Sequence, residues 1–144
     1  MKIVLDTDVV VAAMRSPSGA SAELVRMARR NQIRLAASVS LFIEYESVCS
    51  RQEHIEAAGL VANDIPVFLD ALASLVEPVP IHFLWRPQCH DPADELVLEA
   101  AVNAQADALI SFNLKHFTTA AHRFGLRLSQ PGPFLQHFMR GIAS

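Results

Sequence analysis

A short apolar segment that ends in two carboxylates opens the chain and most constrains its fold. Ile3, Val4 and Leu5 are typical of a strand buried on both faces, as in a parallel sheet, and Asp6 and Asp8 follow it closely. In open α/β sheets, ligands bind beyond the carboxyl ends of the strands. The segment therefore predicts a candidate site at this sheet edge. The alternative is that the aspartates only cap and begin the next helix, which suits Asp8 better than Asp6.

The hydrophobic pattern of the remaining chain alternates between strand-like and helix-like periods and predicts an α/β fold. We expect a three-layer α/β/α sandwich with a mainly parallel central sheet. Ser18 or Ser21 is expected to cap one helix, and Ser38 or Ser40 the next. The expected strands are 3–5, 33–37, 77–81, 108–111 and 125–128, of which 77–81 contains two prolines and suits only a sheet edge or a loop. The expected helices are 9–14, 20–30, 41–51, 63–75, 92–105, 114–121 and 131–142.

The composition is that of a single globular domain, residues 1–144, with 51% hydrophobic and 19% charged residues. The net charge of −3 argues against a protein that binds nucleic acid through bulk positive charge, but not against an enzyme that gathers acids around a metal. Cys49 and Cys89 lack metal-ligand spacing and are expected to stay reduced in the cytoplasm. We expect no signal peptide and no membrane span. Trp85 suits burial against the sheet edge better than stacking on a base.

Later segments bring further acids toward the edge that Asp6 occupies. Glu44 lies one helical turn past the second predicted strand, and Asp91 and Asp94 open the helix at 92–105. Taken singly, Asp91 as an N-cap and Asp94 in the first turn have a sufficient structural explanation. Converging carboxylates repel one another, however, and a divalent cation relieves that repulsion. Hard oxygen ligands select Mg²⁺ or Mn²⁺, and such a site hydrolyses phosphodiesters by activating water.

Four segments, taken together and in this order, resemble a PIN domain. They are 4–13, Ser40 with Glu44, 91–95 and 110–117. The resemblance is strongest to the PIN-family toxins of bacterial toxin–antitoxin pairs (VapC-like), and it extends over about residues 2–128. It implies an α/β/α sandwich and a metal-dependent ribonuclease that cuts single-stranded RNA. It also implies inhibition by a small antitoxin that inserts into the active-site groove, and frequent dimerisation.

Carried over residue by residue, the resemblance makes Asp6 the first acid of the site, Glu44 the second and Asp94 the third. Asn113 stands where many PIN domains have a fourth aspartate, and its carbonyl can still ligate a cation without adding charge. Asp8 stands where asparagine or serine is common, so the number of metal ions stays open. The expected catalytic residues are Asp6, Glu44, Asp91, Asp94 and Asn113, and all but Asn113 are expected metal ligands.

Three functions are compatible with these observations. The first is a Mg²⁺- or Mn²⁺-dependent endoribonuclease that acts as the toxin of a toxin–antitoxin pair, with a small antitoxin as partner and a homodimer as its assembly. The second is a degenerate PIN domain that binds RNA or a protein without cutting. The third is a different phosphatase or nuclease on a similar scaffold, because fold alone does not fix function.

The position of positive charge tests the nuclease hypotheses, because RNA must approach an acidic site. The arginines of the predicted helix 20–30 form either a solvated face, which is the more common outcome, or a phosphate-facing rim. Lys115 is a candidate phosphate contact, whereas His116 suits the surface better than the substrate. The positive residues whose distance from Asp6 matters most are Arg26, Arg29, Arg30, Lys115 and Arg123.

Overall fold

A computed structural model describes residues 1–84 and 86–143, so the expectation for Trp85 lies outside the described residues. The strands are β1 (Lys2–Leu5), β2 (Arg34–Ala37), β3 (Val76–Pro78), β4 (Ala108–Ile110) and β5 (Leu128–Ser129). The helices are α1 (Thr7–Arg15), α2 (Ala20–Arg29), α3 (Val39–Cys49), α4 (Gln52–Ala57), α5 (Asp64–Leu75), α6 (Pro92–Ala104), α7 (Thr118–Phe124) and α8 (Pro131–Ala143). A single 3-10 turn, Leu114–His116, precedes α7.

The strands form one sheet in the order β3-β2-β1-β4-β5, and each described pair of neighbours is parallel. The predicted α/β/α fold with a parallel central sheet is therefore confirmed. From β1 the chain moves outward through β2 to β3, and then crosses to β4 on the other side of β1. This reversal of strand order lies between β1 and β4, where open α/β sheets bind their ligands.

Continuous apolar sequence fixes the central strands, because helices pack against the sheet and its centre has no solvated surface. Ile3 and Val4 in β1 and Leu109 in β4 are completely buried. Across the sheet lies α6, whose Ala100 and Ala101 are also completely buried. Their small side chains let the helix approach the strands closely, which brings the start of α6 to the edge where β1 and β4 end.

One predicted helix cap needs correction, and the structure decides between the two residues predicted for another. Gly19 is the N-cap of α2 and offers no side-chain oxygen, so neither Ser18 nor Ser21 caps that helix. Ser38, rather than Ser40, caps α3, because its Oγ accepts a hydrogen bond from the Leu41 backbone N–H at 3.1 Å. The helix accordingly begins at Val39, two residues before the predicted start at 41.

Sequence periodicity also missed one helix and shifted one strand. The six-residue helix α4 follows α3 directly and was not predicted, since its only buried residue is Ile55. The last strand is Leu128–Ser129 rather than 125–128, because Gly125 adopts a left-handed conformation (φ 68°) that ends α7. As expected from its proline, β3 lies at the edge of the sheet. None of the helices among the described residues combines the length and apolar character needed to cross a bilayer.

Candidate active site

Asp6 lies at the carboxyl end of β1, where the strand order reverses. It is the N-cap of α1, and its Oδ1 accepts a hydrogen bond from the Thr7 backbone N–H at 2.7 Å. Its Oδ2 accepts a second bond, at 2.6 Å, from the hydroxyl of Ser111, the residue that follows β4. Only 7% of Asp6 is exposed. Asp6 rather than Asp8 therefore caps α1, and its carboxylate lies at the sheet edge where the sequence predicts a site.

Asp8 lies two residues further along, in the first turn of α1, and is held by the segment that follows β4. Its Oδ2 accepts hydrogen bonds from the Phe112 backbone N–H at 3.1 Å and from Asn113 Nδ2 at 3.0 Å. Its Oδ1 is buried without a hydrogen-bond partner among the described residues, and so is the neighbouring Thr7 Oγ1. A buried carboxylate oxygen with no partner is costly unless a further group satisfies it. The sequence placed Asp8 beside Asp6 at this edge of the sheet but did not include it in the expected catalytic set, which did include Asn113.

The start of α6 supplies two more acids. Asp91 is the N-cap and accepts from the Ala93 backbone N–H at 2.8 Å, and Pro92 occupies the first turn, as predicted. Asp94 is mostly buried, and its Oδ2 lies 3.2 Å from His116 Nδ1. His116 is exposed at the surface, as expected, but it contacts the site acid rather than solvent alone.

Glu44 reaches the same region from α3. It lines a cavity of about 810 Å³ together with Asp8 and Asp91. A second cavity, of about 850 Å³, lies on the other side of Asp91 and is lined by Asp94 and Lys115. The structure therefore brings the predicted acids to one edge of the sheet, with a cavity on either side.

Two buried glutamates of α6 were not predicted. Glu95 Oε1 accepts hydrogen bonds from the backbone N–H groups of Gln88 at 2.5 Å and Cys89 at 2.8 Å. Glu99 pairs with the Arg86 guanidinium, with a separation of 2.9 Å between Oε2 and Nη2. These contacts attach the loop before Asp91 to the helix after it. The sequence spacing did not indicate that these glutamates would be buried, because the groups that bind them lie in the irregular loop before Asp91.

The electrostatics of the site follow from burial and like charge. Burial chiefly raises the pKa of Asp6, although the bonds from Ser111 and Thr7 oppose the change. Burial, and next the Asp6 charge, raise the pKa of Asp8 to about 7. Burial and the Asp6 charge also raise the pKa of Asp94, against the effect of His116. The acids are therefore close enough to disfavour one another's ionised forms.

The Cys89 thiol borders the acids but does not belong with them chemically. Burial, and next the charges of Glu95 and Asp94, raise its pKa to about 12. In the metal-free protein such a thiol stays protonated near neutrality. The side chains that converge beside Asp6 offer mainly carboxylate oxygens.

This donor set fits a hard divalent cation. Among the described residues, no three histidine, cysteine, aspartate or glutamate side chains are arranged to hold a metal ion by themselves. Mg²⁺ does not need such a cage, because it is commonly bound through one or two carboxylates and keeps several waters. The free Oδ1 of Asp8 and the raised pKa values of Asp6 and Asp94 indicate where positive charge would be stabilised.

Of the two alternatives for the arginines of α2, the structure favours a solvated face over a phosphate-facing rim. Arg26 and Arg30 both bind Glu23, at 2.8 and 2.6 Å, and Arg30 also donates to Gln32 just before β2. That end of α2 is at the edge of the sheet opposite Asp6. By contrast, Lys115 lines the second cavity, and Arg123 bonds to Gln88, another residue of its lining.

Comparison with known protein families matches residues 2–115 to the PIN domain. The chain belongs to the PIN domain family. The matched part of this PIN domain contains every residue predicted for the site, from Asp6 to Asn113. None of the curated proteins compared with it matches.

A solved structure with the same fold supports the assignment. It is the crystal structure of VapBC2 from Rickettsia felis bound to a DNA fragment from their promoter. One of its chains matches this PIN domain with a TM-score of 0.64 and 16% sequence identity, over 90% of this chain and 98% of that chain. At this identity the likeness describes the fold.

Proposed function

We propose that this PIN domain is a metal-dependent endoribonuclease that cuts single-stranded RNA and acts as the toxin of a toxin–antitoxin pair. The observation that carries the proposal is the meeting of Asp6, Asp8 and Asp94 at the reversal of strand order, each with a raised pKa. Mutually repelling carboxylates in one place cost stability unless they serve a cation. Members of the PIN family are in general nucleases, which agrees with this chemistry.

One or two of the carboxylates of Asp6, Asp8 and Asp94, together with waters, would hold Mg²⁺ or Mn²⁺, with Glu44 and Asp91 at the rim of the site. When bound, the ion lowers the pKa of a coordinated water and offsets the charge that develops on the phosphate oxygens. Ser111 and the Thr7 N–H fix the orientation of the Asp6 carboxylate. Asn113 and the Phe112 N–H do the same for Asp8.

The remaining groups of the site would handle the substrate. Glu44, which lines the cavity beside Asp8, would orient an attacking water. His116 restrains the Asp94 carboxylate at 3.2 Å, and Lys115 contributes positive charge to the neighbouring cavity. The scissile phosphate would lie over the acids, with the RNA strand extending into the cavities on both sides.

The partners follow from the same proposal. The VapBC2 structure from Rickettsia felis is that of a complex bound to promoter DNA, which supports a small protein antitoxin as the partner of this chain. We also propose that the protein forms a homodimer. We further propose a cytoplasmic location, with which the free cysteines Cys49 and Cys89 agree.

A second candidate is a PIN domain that binds RNA or protein without cutting. Asn113 supports it, because an amide provides no charge at the end of β4, and its Nδ2 is engaged by Asp8. In that case the hydrogen bond between Asn113 and Asp8 would only stabilise the fold, and no cation would be required.

The decisive experiment is cleavage of a mixed single-stranded RNA by the purified protein with Mn²⁺ or Mg²⁺, and with EDTA as the metal-free control. We expect metal-dependent cutting that both Asp6→Asn and Asp94→Asn abolish. Asp70→Asn is the matched control, because Asp70 is an exposed aspartate of α5 that lines neither of the two cavities beside the acids. The Asp70 variant should cut like the wild-type protein.

The other outcomes separate the candidates. Cutting that survives both site variants would point to a contaminant or another site. No cutting together with Mn²⁺ binding by titration would indicate a toxin whose target sequence is missing from the test RNA. No cutting and no Mn²⁺ binding would favour the non-cleaving binding domain.

A further inference from the structure

We propose that Arg15 and Arg51 form a phosphate-binding subsite for a single-stranded RNA on the side of the acids opposite Lys115. The inference rests on the proposed ribonuclease function and identifies how the strand is held beyond the scissile phosphate. It would make the groove two-sided, with positive residues at both ends and carboxylates in the middle.

The pairing of positive residues is the first observation. Five of the basic side chains lie within 4.0 Å of a glutamate oxygen and are neutralised there: Lys2, Arg26, Arg30, Arg34 and Arg86. Among the described residues, six other lysine and arginine side chains have no carboxylate partner within that distance: Arg15, Arg29, Arg51, Lys115, Arg123 and Arg127. Three of them, Arg15, Arg51 and Lys115, line the cavities beside the acids, where their charge can attract phosphate.

The position of the two arginines is the second observation. Arg15 ends α1 and Arg51 is the N-cap of α4, and both line the 810 Å³ cavity. His54 lines it as well, and its Nδ1 lies 3.5 Å from Arg15 Nη1. Asp8 and Glu44 line the same cavity. A phosphate bound by the arginines would therefore share this cavity with two of the acids.

The walls of the cavity suit a nucleotide. Val11 and Val48 supply apolar surface, and the Phe112 ring is 46% exposed beside them. Aromatic side chains stack on any base, so an open ring next to unpaired arginines is typical of sequence-tolerant single-strand binding. The volume is also within the range of small-ligand sites.

Asp91 connects this cavity to the other one. It lines both, so the 810 Å³ and 850 Å³ spaces adjoin at the start of α6. A strand could therefore pass from Arg15 and Arg51 across the acids to Lys115. This arrangement also explains how an acidic chain can bind RNA, because the attraction is local and its net charge of −3 is not decisive.

The test is binding of a fluorescently labelled single-stranded RNA of mixed sequence in EDTA, measured by anisotropy over a range of salt concentrations. We expect the double variant Arg15→Ala/Arg51→Ala to bind about tenfold more weakly. The slope of log affinity against log salt should become shallower by about 0.7, since the variant loses one phosphate contact and each contact with a single strand contributes about 0.7. Lys115→Ala should reduce the slope by a similar amount.

Arg29→Ala/Arg127→Ala is the matched control, because it removes two exposed arginines that line neither cavity. Its affinity and salt slope should stay close to those of the wild-type protein. Equal losses in the two double variants would show general charge attraction and overturn the inference. Metal-dependent cutting without RNA binding in EDTA would also overturn the inference, because it would show that RNA binds through the metal ion and not through the arginines. The proposed ribonuclease function would still stand in that case. Absence of both binding and cutting would instead contradict the proposed function itself.

Discussion

The side-chain amide of Asn113 donates a hydrogen bond to Oδ2 of Asp8 at 3.0 Å, although the two residues are 105 positions apart in the sequence. The acid and the amide therefore face each other across the ends of β1 and β4. The carboxylate at this point of the site is supplied by Asp8, and Asn113 holds it in place. Exchanging the two side chains would keep one acid and one amide at the same place.

This arrangement predicts the behaviour of an exchange variant. Asp8→Asn alone should weaken Mn²⁺ binding about tenfold or more, because it removes a carboxylate with a free oxygen. The double variant Asp8→Asn/Asn113→Asp should recover most of that affinity, because it restores one carboxylate to the pair. Isothermal titration with Mn²⁺ measures both effects without relying on cleavage.

Asn113→Asp alone is the control for the exchange, since it places two carboxylates in contact. It should raise the affinity for Mn²⁺ but lower the stability of the metal-free protein. If the exchange variant binds Mn²⁺ no better than Asp8→Asn, position 8 itself is required and the equivalence of the two positions is wrong.

The pH dependence of stability follows from the raised pKa of Asp8. Burial and the Asp6 charge raise it from 3.8 to about 7, so the folded protein binds a proton that the unfolded chain has already lost between these values. In EDTA, this contribution to the free energy of unfolding should therefore fall as the pH rises from about 4 to about 7. Asp8→Asn should be more stable than the wild-type protein at pH 8, by on the order of 2 kcal/mol, and close to it at pH 4.

Urea denaturation at several pH values, in EDTA and with saturating Mn²⁺, measures this difference. Mn²⁺ should stabilise the wild-type protein more at pH 8 than at pH 5. Two parallel stability curves, with a constant gap between Asp8→Asn and the wild-type protein, would show that Asp8 titrates normally.

Ser111 connects the two central strands through a fully buried hydroxyl. Its Oγ donates to Asp6 at 2.6 Å and accepts from the Asn113 N–H at 2.9 Å. Ser111→Ala should cost about 1–3 kcal/mol of unfolding free energy, because it leaves both partners incompletely bonded. Ser74→Ala, which removes an exposed hydroxyl bonded to the Ala71 carbonyl, should change stability by less than about 0.5 kcal/mol. Comparable losses in both variants would contradict a special role for Ser111.

Glu95 should act as a positioning residue for the loop before Asp91. Glu95→Ala removes the acceptor of the Gln88 and Cys89 N–H groups, so these amides should lose protection in hydrogen exchange and Mn²⁺ binding should weaken. Glu95→Gln retains an oxygen at Oε1 and should preserve both. Unchanged exchange at residues 88–89 in Glu95→Ala would show that the loop is held by other contacts.

The central strands and the start of α6 could be predicted because their signals are local. An apolar run followed by an acid marks the end of β1, and Asp91-Pro92 is a strong helix start. The role of Asp8 could not be predicted in this way, since it depends on Asn113 at the other side of the reversal. The acids therefore converge as expected, but one of the carboxylates that meet there was excluded from the predicted set.

Ion pairs and hydrogen bonds of charged residues explain most of the remaining differences between the prediction from sequence and the structure. Glu23 and Arg26 are three positions apart on a helix, a spacing that already favoured an ion pair over a phosphate-facing rim. Glu95 and Glu99 gave no such signal, because their partners lie in the irregular loop at 86–89. Gly19 at the start of α2 shows the same limit for helix caps, since a residue without a side chain leaves no capping pattern to detect.

The separation of Asp6 from Ser111 has a consequence for the synthesis of the protein. The first strand leaves the ribosome early, but the hydroxyl that orients its terminal carboxylate lies 105 residues later. A nascent or truncated chain that ends before Ala108 lacks both β4 and Ser111, so Asp6 has neither its neighbouring strand nor its hydrogen-bond partner. Under the proposed function, a partly made toxin would be harmless to the cell that makes it, and activity would arise only when translation has passed the last segment of the site.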